Sequence, residues 1–187
     1  MALAEILDIR QISTHSTRYH GWGTVARRQN GELLVSCSGH REAHVCPYGR
    51  VELIRSQDDG QTWSAPVTLA DGPLDDRDSG VLETAKGSLL VCWFSSLAWE
   101  DRLKNPRNDL NPPTTARWKG LSDKLTDAVR QAELGVWLVR STDGGATFAL
   151  ATAAASSATA NPDPVRPTPF TGQTFSWDSV ADGVGLG

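Results

Sequence analysis

The sequence lacks the features that mark several large classes of protein. Its 187 residues carry a formal net charge of −4, and no run of Lys or Arg is longer than Arg27-Arg28. Nucleic acids and anionic lipids are bound through concentrated positive charge, so neither nucleic acid nor membrane is expected as a partner. No long apolar run predicts a transmembrane segment. Residues 1–8 lack the basic and apolar regions of a signal peptide, which predicts a cytoplasmic protein.

Cysteine is also scarce. The three cysteines, Cys37, Cys46 and Cys92, show no C-x-x-C spacing of the kind used for metal binding or redox chemistry. We therefore expect reduced thiols, no metal site and no cofactor. The composition, 39% hydrophobic and 21% charged, is typical of a soluble globular protein.

The sequence does contain an internal repeat. Residues 30–35 (NGELLV) recur as residues 86–91 (KGSLLV), displaced by 56 residues, and residues 55–63 (RSQDDGQTW) recur as residues 140–148 (RSTDGGATF), displaced by 85. The order is the same both times, so the second copy holds 29 additional residues (85 − 56) between its repeated segments. Fixed displacements of this kind indicate one supersecondary unit used more than once.

Each copy of the repeat predicts a four-stranded antiparallel unit. Runs of β-branched residues between Gly, Pro, Asn and Asp predict strands in the first copy at residues 24–26, 33–37, 51–55 and 65–69. The second copy predicts strands at residues 80–84, 89–94 and 136–140, followed by a fourth segment that is poor in β-forming residues. Units of this kind are typical of β-propeller blades.

The repeat also predicts how the chain is divided. The predicted parts are an N-terminal lead-in (1–18), a first unit (19–70), a second unit (71–150) and a tail (151–187). The tail is rich in Ala, Ser and Pro and has too little apolar patterning to pack, so it is expected to be disordered.

The additional residues of the second unit predict a helical insertion at about residues 97–133. The apolar residues Leu121, Leu125, Ala128 and Ala132 recur at helical spacing. Thr114 or Thr115 is suited to cap a helix at its start. The pattern predicts one amphipathic helix from about residue 115 to 133, between the second and third strands.

An octet follows the third predicted strand of each unit, at residues 56–63 and 141–148, and these are called the first and second octets. A carboxylate can accept hydrogen bonds from the turn backbone, a glycine permits a left-handed conformation, and an aromatic ring can pack on the unit. The structural residues are Ser56, Asp58, Gly60, Thr62 and Trp63 in the first octet and Ser141, Asp143, Gly145, Thr147 and Phe148 in the second.

The octets carry a resemblance to a known family. The pattern Ser-x-Asp-x-Gly-x-Thr-Trp is the Asp-box, or BNR repeat, of sialidases (neuraminidases), and the second octet departs from it only by Phe in place of Trp. The resemblance covers about residues 19–150. It implies an all-β, sialidase-type β-propeller with two blades present and the rest missing. It also implies a glycosidase scaffold, a hydrolase acting on carbohydrate; the alternative is a non-catalytic propeller that binds carbohydrate or protein.

The active-site pattern of the family is matched only in part. Sialidases open their first blade with aromatic-Arg-Ile-Pro, whose arginine binds the substrate carboxylate, whereas residues 19–23 read YHGWG. The acid/base aspartate of the family follows a Gly-Arg pair, and residues 39–42 (GHRE) offer an arginine and a glutamate instead. The resemblance implies that the tyrosine nucleophile and its glutamate partner come from later blades.

Strand direction places the candidate site. Because neighbouring strands run antiparallel, the loops after the second strands and between the units share one face, opposite the octets. Arginines and carboxylates cluster there, as an acid-sugar site requires, although local ion pairing is the alternative reading. The catalytic candidates are Glu42 and Asp78. The substrate-binding candidates are Arg41, Arg77, His44, Asp76 and His20.

Other residues of this face are expected to play lesser roles. Asp75 and His15 are expected to be solvated. Three tryptophans are expected in the core (Trp22, Trp93 and Trp137), whereas core and ligand roles both stay open for Trp99 and Trp118. Two units alone leave an apolar side and a strand edge uncovered, so the chain is expected to be unstable or to self-associate.

Overall fold

The strands form two four-stranded antiparallel sheets, each with its strands in chain order. A computed structural model describes residues 6, 8–13, 18–105 and 110–151; His15 and nearly all of the predicted tail lie outside these residues. The first sheet contains β1 (Tyr19–Arg27), β2 (Leu33–Arg41), β3 (Arg50–Ser56) and β4 (Val67–Ala70). The second contains β5 (Asp75–Glu83), β6 (Leu89–Ser96), β7 (Gly135–Ser141) and β8 (Ala149–Leu150).

The first strand of each sheet is longer than the sequence pattern indicates. β1 and β5 begin at Tyr19 and Asp75, several residues before the predicted starts. Each contains an irregularity in its pairing, between Gly21 and Thr24 in β1 and between Arg77 and Gly80 in β5. A bulge of this kind breaks the alternation of inward and outward side chains, so the period-two signal is lost there.

The insertion is not the single helix predicted for residues 115–133. It contains α1 (Ala98–Lys104), α2 (Pro112–Ser122) and α3 (Asp127–Glu133). α2 begins earlier because the Asn111 side chain accepts a hydrogen bond from the backbone N–H of Thr114 (2.9 Å). A second cap, Thr126, accepts from the N–H of Val129 (3.2 Å) and starts a separate helix. Ala128 and Ala132, expected on the apolar face, are exposed.

The insertion packs on the loop that follows β2. Trp99, Trp118 and Cys46 are fully buried together, and the two indole rings meet edge to face at 6.4 Å. Arg130 of α3 joins the helices, since its guanidinium donates to Glu100 Oε1 (2.7 Å) and to the carbonyl of Ser122 (2.9 Å). Both tryptophans are therefore core residues of the insertion.

The two sheets pack face to face through two apolar clusters. One contains Val51, Val91, Trp93 and Val139, and the other contains Leu34, Leu53 and Leu89. Val81 and the octet ring of Phe148 pack against both clusters, and Trp137 packs against the first. Trp93 and Trp137 accordingly lie in the core, as expected.

Polar contacts fix the alignment of the sheets. The hydroxyl groups of Ser36 and Ser79 are 2.7 Å apart, and Thr24 donates to the carbonyl of Ser79 (3.2 Å). At the octet end, Arg28 pairs with Glu83 (2.9 Å). Because hydrogen bonds are directional, they select one register between surfaces that apolar packing alone would allow to slide.

Both octets form the turn expected of them, between the third and fourth strands. The carboxylate of Asp58 accepts from the backbone N–H (2.8 Å) and the hydroxyl (2.6 Å) of Thr62, and Asp143 accepts from the same groups of Thr147 (3.0 and 2.6 Å). Gly60 adopts a φ of 86°, which a residue with a Cβ rarely adopts. Among the described residues, no helix combines the length and apolar character needed to cross a lipid bilayer.

Candidate functional site

The candidate site lies near the starts of β1 and β5, the first strands of the two sheets. Trp22 stands in the bulge of β1 with a φ of 54°, and Asp78 stands in the bulge of β5 with a φ of 49°. The two residues are 56 positions apart, the displacement of the first repeated segment. Residues other than glycine are uncommon at such φ values, and this strain is often found at functional sites.

Trp22 is the centre of a cationic cluster. The Cζ atoms of Arg41 and Arg77 lie 5.0 and 4.7 Å from the centroid of its ring, and the ring of His44 lies 4.8 Å away. Guanidinium groups are attracted to the negative face of an indole ring. The expectation that Trp22 belongs to the core is therefore wrong: it is half-buried and bridges arginines from both sheets.

Arg41 is held by the protein at both terminal nitrogens, while its buried Nε has no hydrogen-bond partner among the described residues. Its side chain has no exposed surface and donates to Asp75 Oδ2 (2.7 Å), Ser38 Oγ (2.7 Å) and the carbonyl of His44 (3.0 Å). The expectation that Asp75 is solvated is wrong, because its carboxylate neutralises this buried cation. A Cβ at Gly49 would collide with both side chains, so the pair depends on glycine there. Arg41 positions the cluster and has no surface to offer a ligand.

Arg77 differs from Arg41 in that its guanidinium makes no hydrogen bond in the described part of the chain, whereas both terminal nitrogens of Arg41 are paired. Its side chain is 10% exposed and lies 3.9 Å from a carboxylate oxygen of Asp75 and of Asp78, beyond hydrogen-bond distance. Its Nε atom is buried and has no hydrogen-bond partner in the described part of the chain. Phe94 covers another side of the guanidinium, at 5.9 Å. An arginine with free N–H groups against an aromatic ring is well suited to bind a carboxylate.

Asp78 is the accessible carboxylate of this cluster. Its side chain is 39% exposed, whereas that of Asp75 is fully buried. The two carboxylates lie on either side of Arg77. An arginine that can bind an anion therefore lies beside Asp78, a carboxylate that can accept hydrogen bonds from hydroxyl groups. The structure therefore places Arg41, Arg77, His44 and Asp78 in one neighbourhood.

Glu42 lies in a different place from the Trp22 cluster. It pairs with Arg117 of α2 (2.8 Å) and with Arg18 (3.2 Å), and it accepts from the indole N–H of Trp118 (3.2 Å). Burial raises the pKa of Glu42, but the hydrogen bonds from Trp118 and Arg117 outweigh it and leave the pKa below its usual value. This carboxylate lines a cleft of about 290 Å³ beside α2. A carboxylate held in its charged form is poorly suited to donate a proton.

Asp76 and His20 have partners of their own. The Asp76 carboxylate is buried and accepts from Ser95 Oγ (2.6 Å) and the indole N–H of Trp93 (3.2 Å). Burial raises the pKa of Asp76 despite these bonds. His20 Nε2 lies 3.1 Å from a buried carboxylate oxygen of Glu52. Both contacts join strands within one sheet, and the described residues hold no cluster of three or more His, Cys, Asp or Glu suited to a metal ion.

The roles of two residues of the site, Trp22 and Asp75, were missed by the sequence reasoning. Trp22 is flanked by Gly21 and Gly23, an unusual environment for a core tryptophan, and it corresponds to Asp78 under the repeat. Asp75 left no comparable signal, because Arg41 and Gly49, which it contacts, are distant in sequence. A buried ion pair of this kind depends on tertiary packing and has no local pattern.

Comparison with known proteins adds two structural neighbours. No family model matches the chain, and no curated protein matches it. One solved structure, a protein of unknown function from Dyadobacter fermentans DSM 18053, is 19% identical, with a TM-score of 0.49 over 74% of this chain and 37% of that one. Another, described as Hadza microbial sialidase Hz136, is 18% identical, with a TM-score of 0.45 over 70% of this chain and 25% of that one. The chain therefore spans well under half the length of either neighbour.

Proposed function

We propose that this chain is part of a sialidase-like, Asp-box β-propeller that binds an acidic carbohydrate through Arg77. The observation that carries the proposal is the state of Arg77: its guanidinium lies over Trp22 and beside the accessible Asp78, and it makes no hydrogen bond among the described residues. The two Asp-box turns support the family assignment, because both form the hydrogen bonds that the motif requires.

The chemistry of the cluster fits a sugar acid. The carboxylate of such a ligand would accept two hydrogen bonds from the Arg77 guanidinium, a geometry in which arginine is superior to lysine. Asp78 would accept hydrogen bonds from sugar hydroxyl groups. Arg41 would not touch the ligand, since it is fully buried and its charge is balanced by Asp75.

Binding of N-acetylneuraminic acid, followed by calorimetry or ligand-observed NMR, tests this proposal. We expect Arg77→Gln to weaken binding by roughly 10- to 100-fold, the loss typical of a hydrogen bond to a charged group. Arg27→Gln is the matched control, because Arg27 is exposed and pairs with Asp59 at the octet end. The methyl ester of the same sugar should bind no better than the Arg77 variant binds the acid. Equal affinity for acid and ester would refute a carboxylate-binding role for Arg77.

Hydrolysis of a glycosidic bond is the second candidate, and Asp78 is the observation in its favour. It combines accessibility, a strained backbone and proximity to Arg77. Glycosidases use a pair of catalytic groups. The other carboxylate candidate, Glu42, is already paired with Arg117 and Trp118, which leaves Asp78 as the stronger candidate. With a fluorogenic sialoside, Asp78→Asn should lower the rate by at least about 100-fold while sugar binding persists. Sugar binding by the unmodified chain without any turnover would favour the non-catalytic binding propeller.

A further inference from the structure

The second sheet leaves exposed a face that the first sheet buries. In the contact between the sheets, Val51 and Val81 belong to one apolar cluster. Val136 corresponds to Val51 under the displacement of 85 residues and is 68% exposed, while Val25 corresponds to Val81 under the displacement of 56 residues and is 67% exposed. Val25 and Val136 are therefore uncovered counterparts of the internal contact, although Ile54 and Cys37, on the same face as Val25, are buried.

Strand pairing supports these correspondences. Val51 pairs with Ser38 and Val136 pairs with Phe94, and Ser38 and Phe94 are themselves 56 residues apart. Val25 and Val81 likewise pair with valines, Val35 and Val91, that are related by the same displacement. The counterparts thus occupy the same positions in the two sheets, and their side chains point to the same side of each sheet.

An arginine repeats with the apolar residues. Arg55 reaches from the first sheet to the second octet and donates to the carbonyl of Gly144 (2.7 Å). Its counterpart, Arg140, donates only to the hydroxyl of Ser88 (3.2 Å) in the part of the chain that is described. The first octet also accepts an arginine at its carbonyls, since Arg10 donates to Gln61 (2.9 Å). Arg140 therefore occupies the position from which Arg55, in the first sheet, contacts an octet.

We propose that the two faces bind each other between copies of this chain. The face around Val136 and Arg140 of one copy would dock on the face around Val25 and the first octet of the next, where Arg140 would replace Arg10. This contact would use the same positions of the repeat as the one already made inside the molecule. Such a contact is head-to-tail and leaves one free face at each end, so assembly continues until a ring closes or a fibre forms. The proposal rests on the repeat and is independent of the sugar site.

The contact between copies should be weaker than the contact within the chain. Ser36 and Ser79 share a hydrogen bond between the two sheets. Their counterparts at the open faces are Cys92 and Gly23, which cannot make it. Association should therefore depend on concentration over a range accessible to sedimentation.

Sedimentation velocity of the full chain at increasing concentration tests the proposal. We expect species larger than the 20.2 kDa monomer, and we expect Val25→Asp and Val136→Asp each to lower the amount of species beyond the monomer by at least tenfold. Val67→Asp is the matched control, because Val67 is an exposed valine on β4 outside both faces. An equimolar mixture of the two variants should form a dimer that does not grow further, since each variant retains one intact face.

A cross-linking experiment keeps the test valid if an aspartate variant fails to fold. In a Cys92→Ser background, copies carrying Val25→Cys should form disulfides with copies carrying Val136→Cys, and neither should do so with itself. The proposal is overturned if the unmodified chain stays monomeric at all concentrations, if the mixed variants stay monomeric, or if Val67→Asp acts like the others. It is also overturned if a chain ending at residue 151 associates while the full chain does not, because the tail would then be the occupant of the face.

Discussion

Single residues in this protein are constrained most tightly around buried charges. Arg41 and Asp75 are both without exposed surface and hold each other across the two sheets. Burying two charges is unfavourable unless they pair closely, and removing either partner leaves the other charge uncompensated. The backbone at position 49 lies so close to this pair that a side chain would not fit, which explains the glycine there.

The requirement for glycine at position 49 can be measured directly. Gly49→Ala would place a methyl group against Arg41 and Asp75 and should destabilise the protein by about 1–3 kcal/mol, as overpacking typically does. Gly120→Ala is the control, because nothing lies within 4 Å of a Cβ there and the residue is inside α2. It should stabilise by about 0.5–1 kcal/mol. Urea unfolding at neutral pH distinguishes the two; equal stability of the Gly49 variant and the unmodified chain would show that the pair tolerates displacement.

At the scale of elements, the octets and the capped helices explain most of the local structure. The octets satisfy their own backbone N–H groups, so each turn forms from residues adjacent in sequence. The helices of the insertion also begin at local hydrogen bonds, since the side chains of Asn111 and Thr126 each accept from a backbone N–H group three residues later. Its position on the molecule, however, comes from the burial of Trp99 and Trp118.

The octets predict how stability depends on pH. Hydrogen bonds from the side chain and backbone of Thr62 lower the pKa of Asp58 from 3.8 to about 2, and those from Thr147 lower the pKa of Asp143 further. Since the folded pKa lies below the unfolded one, this stabilisation is complete above about pH 4 and is lost as the pH falls towards 2. Thermal melts across this range should show a steep decrease in Tm.

Two variants make the pH experiment specific to the octets. Asp58→Asn should lower the Tm at pH 7 and flatten the decrease between about pH 4 and 2, because its side chain no longer titrates. Asp101→Asn is the control, since Asp101 is an exposed residue of α1. A decrease in Tm that is equally steep in the Asp58 variant and in the unmodified chain would assign the acid sensitivity to other carboxylates.

At the scale of the whole molecule, the candidate site exists only because the two sheets are packed together. Arg41 and Trp22 come from the first sheet, whereas Asp75, Arg77 and Asp78 come from the second. The polar contacts between Ser36 and Ser79 and between Arg28 and Glu83 hold the sheets in register. Any change that lets the sheets slide should therefore affect the site before it affects either sheet alone. The same packing leaves Val25 and Val136 uncovered.

The sequence by itself determined the parts of this protein that depend on neighbours in the chain. The displacements of 56 and 85 residues, the strands between turn residues and the hydrogen-bonding pattern of the octets are all local, and they specified two four-stranded antiparallel units with an insertion in the second. The caps were predicted wrongly, because Thr114 or Thr115 was expected to start one helix, whereas Asn111 and Thr126 each start a separate one. The predicted division of the chain into lead-in, units and tail stays a prediction.

Only the tertiary structure decided how the candidate residues are used. Arg41 and Arg77 look alike in sequence, yet packing buries the guanidinium of Arg41 against Asp75 and leaves that of Arg77 without a hydrogen bond among the described residues. Glu42 follows Arg41 directly, but the insertion draws it away to Arg117. The positive φ of Trp22 and Asp78 likewise arises from bulges that the sheet pairing imposes. Burial and charge compensation are properties of the space around a side chain, and that space is formed by residues far away in sequence.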